Sequence, residues 1–233
     1  MRWLVRGLGY LVWLIANFAL FGFAGSLGIF PNGFVALLAV LLLNFPAILI
    51  HELGHAWIAH LRGAHVLKIV ALPFGYAPSE RRLRIERHVP SRDIGGYVSY
   101  IFRRRDETRR DRVAIAVAGP LANLLSAALV IGLLSGWQAT QPVEPTETAL
   151  VVIVPGAPEQ ARPGRFPSNE EIRALLEKEG DRRRSETLQG TATGLAWLFA
   201  AISIILGLAN LVPTKGSDGS VILRNLMPTR RKA

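Results

Sequence analysis

The 233-residue chain contains no cysteine, which excludes a disulfide scaffold, a thiolate metal site and a cysteine nucleophile. Acidic residues are in deficit, 17 Asp and Glu against 27 Lys and Arg, for a formal net charge of +10. Charge of either sign is nearly missing from four long stretches. Half of all residues are hydrophobic, so the chain has too much apolar surface to stay disordered. Their concentration in blocks, with the charge between them, argues against an ordinary soluble domain. A basic excess beside apolar blocks points to a membrane before it points to nucleic acid.

What is present is a set of spans. Leu8 to Phe30 runs 23 residues without charge. Phe34 to Ile50 is uncharged and continues through His51, Glu52 and His55 to Leu61. Val113 to Leu134 supplies a third block of 22 residues and Gly194 to Pro213 a fourth of 20. At about 1.5 Å per residue each can cross a hydrocarbon layer about 30 Å thick. The first block follows Arg2 and Arg6 but is about twice as long as a secretory signal core, so it reads as a retained anchor. The chain is therefore expected to be an α-helical polytopic membrane protein with about four transmembrane helices. The expected division is a catalytic core over 1–134, an extracytoplasmic segment over 135–193, and a fourth span with its following loop over 194–233.

Charge orients the spans. The connection from Arg62 to Arg112 holds 13 Lys and Arg against 6 Asp and Glu, whereas Ser135 to Thr193 holds 7 against 9. With both termini cytoplasmic, every basic segment lies inside, as the positive-inside rule requires. A bacterial plasma membrane is the expected location. In the outer segment, Ala149 to Pro155 reads as a strand. Ser168 with Glu171 reads as a capping box opening a short helix that Gly180 closes.

The sharpest local feature is His51-Glu52-Leu53-Gly54-His55. Histidines at i and i+4 share one helical face and can share a zinc, and Glu52 is placed to take a proton from a metal-activated water. Two imidazoles and a carboxylate on a membrane helix are costly without a function. Zinc needs a third protein ligand. His60, His65, His88 and a carboxylate are the candidates, with Asp218 the best placed because it follows the inner end of the last span.

Three motifs in this order, His51-Glu-Leu-Gly-His55, Ala118-Gly-Pro-Leu-Ala-Asn123 and Asn210…Pro213…Asp218-Gly219, resemble the site-2 protease (M50) family of intramembrane zinc metalloproteases. The resemblance covers most of the chain outside the outer segment. It implies one Zn2+ per chain on His51, His55 and Asp218, Glu52 as catalytic base, a transmembrane protein as substrate, and substrate contact by Asn123. One departure is that Thr214-Lys215-Gly216-Ser217 stands where the family carries an apolar, proline-rich stretch.

Several residues have two readings. Asn123 either bonds between helices or touches the substrate backbone; Asn210 leans to the first. Gly119 and Pro120 are expected to let their helix approach span two, and Pro46 to kink span two. Val66 to Leu72 and Ile94 to Phe102 read as short strands at the membrane surface, either a structural hairpin or a ledge to which an extended substrate adds as a strand. Gly95 and Gly96 would then permit close backbone approach. The arginines before span three fit lipid headgroups, not nucleic acid. The competing function is a catalytically silent scaffold or a metal-binding transporter on the same fold. The chain carries no signature of a particular oligomeric state.

Overall fold

The computed structural model describes residues 15–86, 95–104, 106–141 and 169–227. Arg2, Arg6, His88, the valine-rich run at 149–155, Ser168 and the basic residues 230–232 lie outside them.

The chain is mostly helical. Helix α1 covers Ile15–Ser26, α2 Gly33–Leu61, α3 Arg109–Thr140, α4 Asn169–Leu211 and α5 Asp218–Leu226. Three of these, α2, α3 and the Leu176–Leu211 part of α4, are long and apolar enough to cross a membrane. The described part of the first block, α1, is shorter; it stops at a turn where Gly28 takes a φ of +65°.

Local chemistry sets the helix ends. The Asn32 side chain accepts the Val35 N–H at 3.0 Å and starts α2. At the other end Gly63 adopts a φ of +85°, Gly63 N–H donates to His60 O and Ala64 N–H to Ala59 O, both at 2.9 Å. That pair of bonds is a Schellman stop, and the buried Ala59–Ala64 contact is its usual apolar companion. Thr108 and Asp111 form a reciprocal capping box at the start of α3, worth about 1 kcal/mol. Both α2 and α3 run unbroken through their internal prolines, Pro46 and Pro120.

Two expectations are corrected here. Gly180 does not close a short helix; α4 continues through it for 43 residues and carries the apolar run on its C-terminal half. A glycine lowers helix propensity by about 1 kcal/mol and is outweighed when the flanks are strong formers and ion pairs such as Arg183–Glu179 span it. The basic connection is also more structured than two strands. Val66–Leu72 and Ile94–Phe102 were expected; the structure has β1 (His65–Ala71), β2 (Phe74–Ala77), β3 (Arg82–Ile85) and β4 (Gly96–Ile101) in one antiparallel sheet of order β3-β2-β1-β4.

The sheet lies along the second half of α2. Strand β1 leaves the helix end at Leu61 and runs back beside it, about 20 Å over seven residues at about 3.3 Å each. It therefore ends near the middle of α2, where Phe74 meets Phe45 edge-on at a centroid separation of 5.6 Å. At the mid-helix end of the sheet, Ala71, Phe74 and Ile85 are cross-strand neighbours. The shallow end carries Lys68, Glu80 and Arg82. A cluster of Leu20, Ala24, Ala36, Val40, Ala47, Leu198 and Ile202 joins α1, α2 and α4. A second, of Ala59, Ala64 and Ile115 with Val66, Tyr100 and Phe102, fastens the sheet to α2 and α3.

Strand β4 is also pinned by a polar bond, Tyr100 Oη–H to Glu107 at 2.8 Å. Burial, then the Glu107 carboxylate, push the Tyr100 hydroxyl well above its ordinary pKa, so it remains a donor throughout the physiological range. Tyr100→Phe should fold but lose about 1 kcal/mol, with faster amide exchange confined to β4. Exchange rates unchanged from wild type would show that the bond does not hold the strand.

Candidate metal centre

His51 and His55 project from one face of α2 toward α3, and Asp218 enters from the start of α5. Their ligating atoms lie within 4.8 Å of one another. Asp218 Oδ2 is 3.1 Å from His51 Nε2 and 3.4 Å from His55 Nε2. Both histidines and Glu52 are buried, at 5, 9 and 7% exposure. Among the described residues this is the one cluster of metal-binding type.

Small residues make the convergence possible. A Cβ on Gly119 would collide with His55 Nε2 and stand 2.7 Å from His51 Nε2. A Cβ on Gly54 would be 2.6 Å from Ala118 O. The expectation that Gly119 lets α3 approach span two therefore holds, and Gly54, inside the histidine motif, serves from the other side. Gly219 likewise admits Leu211 O, which brings α5 back against the end of α4.

The polar stretch before Asp218 proves to be a cap. Gly216 takes a φ of +97°. Ser217 Oγ–H donates to Val212 O at 2.6 Å and its oxygen accepts the Thr214 N–H at 3.1 Å and the Ser220 N–H at 3.2 Å. Ser217 thus N-caps α5, so Asp218 becomes its first residue and faces the histidines. A serine immediately before Asp-Gly was the available sequence signal.

The donor set fits a divalent cation. His55 Nδ1–H donates to Ile115 O at 2.6 Å. In the neutral ring the other nitrogen is then bare and faces a carboxylate oxygen, a pairing of electron-rich atoms that a cation between them resolves. Donors about 2.0–2.1 Å from a tetrahedral zinc stand about 3.3 Å apart, close to the two separations observed. A histidine anchored through its far nitrogen to a carbonyl is also how ligating imidazoles are oriented. Because Ile115 contributes a main-chain oxygen, its side chain gave no signal of this role.

The other candidates sit elsewhere. His60 and His65 are exposed. Asn210 Nδ2–H donates back to Leu206 O at 3.2 Å, the helix-internal role expected of it. Asn123 is fully buried, with Nδ2 3.3 Å from His51 Nδ1. Gly95 and Gly96 stand at the deep start of β4. A Cβ on Gly95 would be 2.9 Å from Ile48 Cδ1, and one on Gly96 would be 2.5 Å from Val70 O and 2.8 Å from Glu52 Oε1. The close approach they permit is to β1 and to α2.

A family model described as Peptidase family M50 matches residues 36–233. The chain belongs to peptidase family M50. No solved structure matches it. The match covers the His51 motif, the Asn123 motif and Asp218, so membership rests on more than the motif shared with soluble metallopeptidases. The M50 assignment and the apolar helices together make this a membrane metalloprotease, a hydrolase with a His-His-Asp group able to hold a metal.

Gly119→Ala should lower zinc content about tenfold or more, since its methyl would displace the two imidazoles it touches. Gly132→Ala, where nothing lies within 4 Å, should leave it unchanged. Metal analysis of the purified variants checks this; equal zinc in both would mean that the helix approach at Gly119 does not shape the site.

Proposed function

We propose that this chain is an intramembrane zinc endopeptidase that cuts transmembrane proteins near the cytoplasmic face, with His51, His55 and Asp218 as metal ligands and Glu52 as general base. The observation that carries the reading is the placement of the Glu52 carboxyl: next to the paired histidines on α2, and against Gly96 where edge strand β4 begins. When bound, zinc would acidify water and polarise a peptide carbonyl. Glu52 takes the proton of the attacking water and returns it to the departing amine nitrogen. Its near-complete burial keeps bulk water from competing for that proton.

The substrate must be extended, because a helix shields its own carbonyls and hydrocarbon offers them no other partner. Strand β4 pairs with β1 on one side, and among the described residues no strand covers the other. A substrate segment added there would gain main-chain hydrogen bonds and lead its carbonyl toward Glu52. Gly95 and Gly96 contribute by letting β4 sit flush against α2, and Asn123 lies beside the ligands within reach of a bound backbone.

Topology follows from charge. Both termini are cytoplasmic in this proposal, in a bacterial plasma membrane, with the sheet and its Arg81, Arg82, Arg84 and Lys68 on the inner side among anionic headgroups. His51 and His55 then lie about 9–15 Å in from the inner end of α2, so cuts should fall in the cytoplasmic half of a substrate span. Helix-weakening Gly, Pro or Asn in that half should favour them.

Glu52→Gln should keep about one zinc per chain and lose turnover by several orders of magnitude. Asp218→Ala should lose the metal as well. Co-expression with single-span proteins, with fragment ends mapped by mass spectrometry, is the test. Identical fragments with wild type and Glu52→Gln would favour the silent scaffold or transporter, and cuts in the outer half would overturn the topology.

A further inference from the structure

The Asn123 amide is enclosed by the bundle but satisfied at one end only. Nδ2 lies 3.3 Å from His51 Nδ1, while among the described residues Oδ1 has no hydrogen-bond partner. A buried carbonyl oxygen left without a donor is costly, and the neighbouring imidazole explains why it is tolerated. In this setting of the amide, Nδ2–H faces Nδ1, and a neutral His51 ring would then carry its proton on Nε2, toward Asp218 at 3.1 Å. A nitrogen bearing that proton has no lone pair for a metal.

For Nε2 to ligate, the proton must sit on Nδ1, and Nδ1–H cannot face Nδ2–H. Half a turn of the terminal amide exchanges Oδ1 with Nδ2 and moves nothing else. It brings the orphaned oxygen onto Nδ1–H. One end of the amide lacks a partner in either setting, so the choice is made by His51. A neutral His55 already has the corresponding arrangement, with Nδ1–H on Ile115 O and Nε2 toward Asp218. Asn123 would do through a side chain for the first histidine what the α3 main chain does for the second.

We propose that Asn123 is the positioning residue for His51: its amide oxygen accepts the Nδ1 proton and so holds Nε2 as a bare ligand nitrogen. The inference rests on the zinc-site reading of His51, His55 and Asp218. It assigns Asn123 to the metal site ahead of any contact with substrate, and it is tested without substrate.

The experiment titrates zinc into the purified full chain in detergent against a chromophoric chelator. Asn123→Leu removes the acceptor at similar volume and should weaken zinc binding about 10–100-fold, the range for losing such a partner. Asn123→Asp presents acceptors only and should bind within about threefold of wild type or more tightly. Zinc affinity unchanged in Asn123→Leu would overturn the proposal, as would an Asn123→Asp variant as weak as the leucine one. If the leucine variant fails to fold, the aspartate variant decides alone, and binding more than threefold weaker than wild type sinks the idea. A wild-type chain that binds no zinc would overturn the metal-site reading itself, which separates the two failures.

Discussion

Two imidazoles and two carboxyl groups sit inside a bundle whose other walls are apolar, and much of the architecture follows from what it takes to hold them there. Buried polar groups are tolerable only when partnered. Here the partners come from three directions: a carbonyl of α3 for His55, an amide of α3 for His51, and a carboxylate from α5 for both. None of those could arrive if the helices kept the usual 8–10 Å between axes set by larger side chains. Gly54 and Gly119 remove the side chains that would hold them apart.

The same economy of side chains places the sheet. Strand β4 begins at Gly95-Gly96 because anything larger would strike Ile48, the Val70 carbonyl or Glu52. The sheet can then run beside α2 from its end to mid-length. The end with Phe74 sits where α2 carries Phe45, and Arg82 and Lys68 lie farther toward the helix terminus. In the proposed function, this edge strand, which starts at Glu52 and is anchored by Tyr100 to Glu107 just before the α3 cap, would be the fixed rail for an extended peptide. Rigidity is needed there, because a shift of about 1 Å between a carbonyl and its base is enough to lose most of the rate.

Helix α4 serves differently. Its last turns complete the bundle around Leu198 and Ile202, and its first turns carry charge and ion pairs such as Arg182–Glu186. One helix therefore joins a charged stretch to the site-bearing turn at its far end. The turn itself relies on Ser217 and Gly216 where apolar residues were expected. A hydroxyl that bonds both back to Val212 and forward to Ser220 supplies locally the order that a proline-rich stretch would impose by restricting φ.

By itself the sequence determined three long apolar helices and the pairing of His51 with His55, because hydropathy over twenty residues and an i, i+4 spacing are local properties of the chain, whereas Asp218 stood out through the resemblance of its Asp-Gly motif to the family. It also determined β1 and β4 to within two residues at the described ends, from β-branched and aromatic runs. Strands β2 and β3 were hidden: Pro73, Gly75, Pro78 and the arginines read as loop, and only pairing with β1 makes such segments strands. The unbroken passage of α4 through Gly180 was likewise invisible, since the residue's low propensity is local and the ion pairs and packing that override it are not. The tertiary structure alone showed that Gly119 abuts both imidazoles, that Asn123 lies against His51 and that the Ile115 carbonyl holds His55. Each acts on a residue some sixty to seventy positions away, across a helix contact that no spacing in the chain encodes.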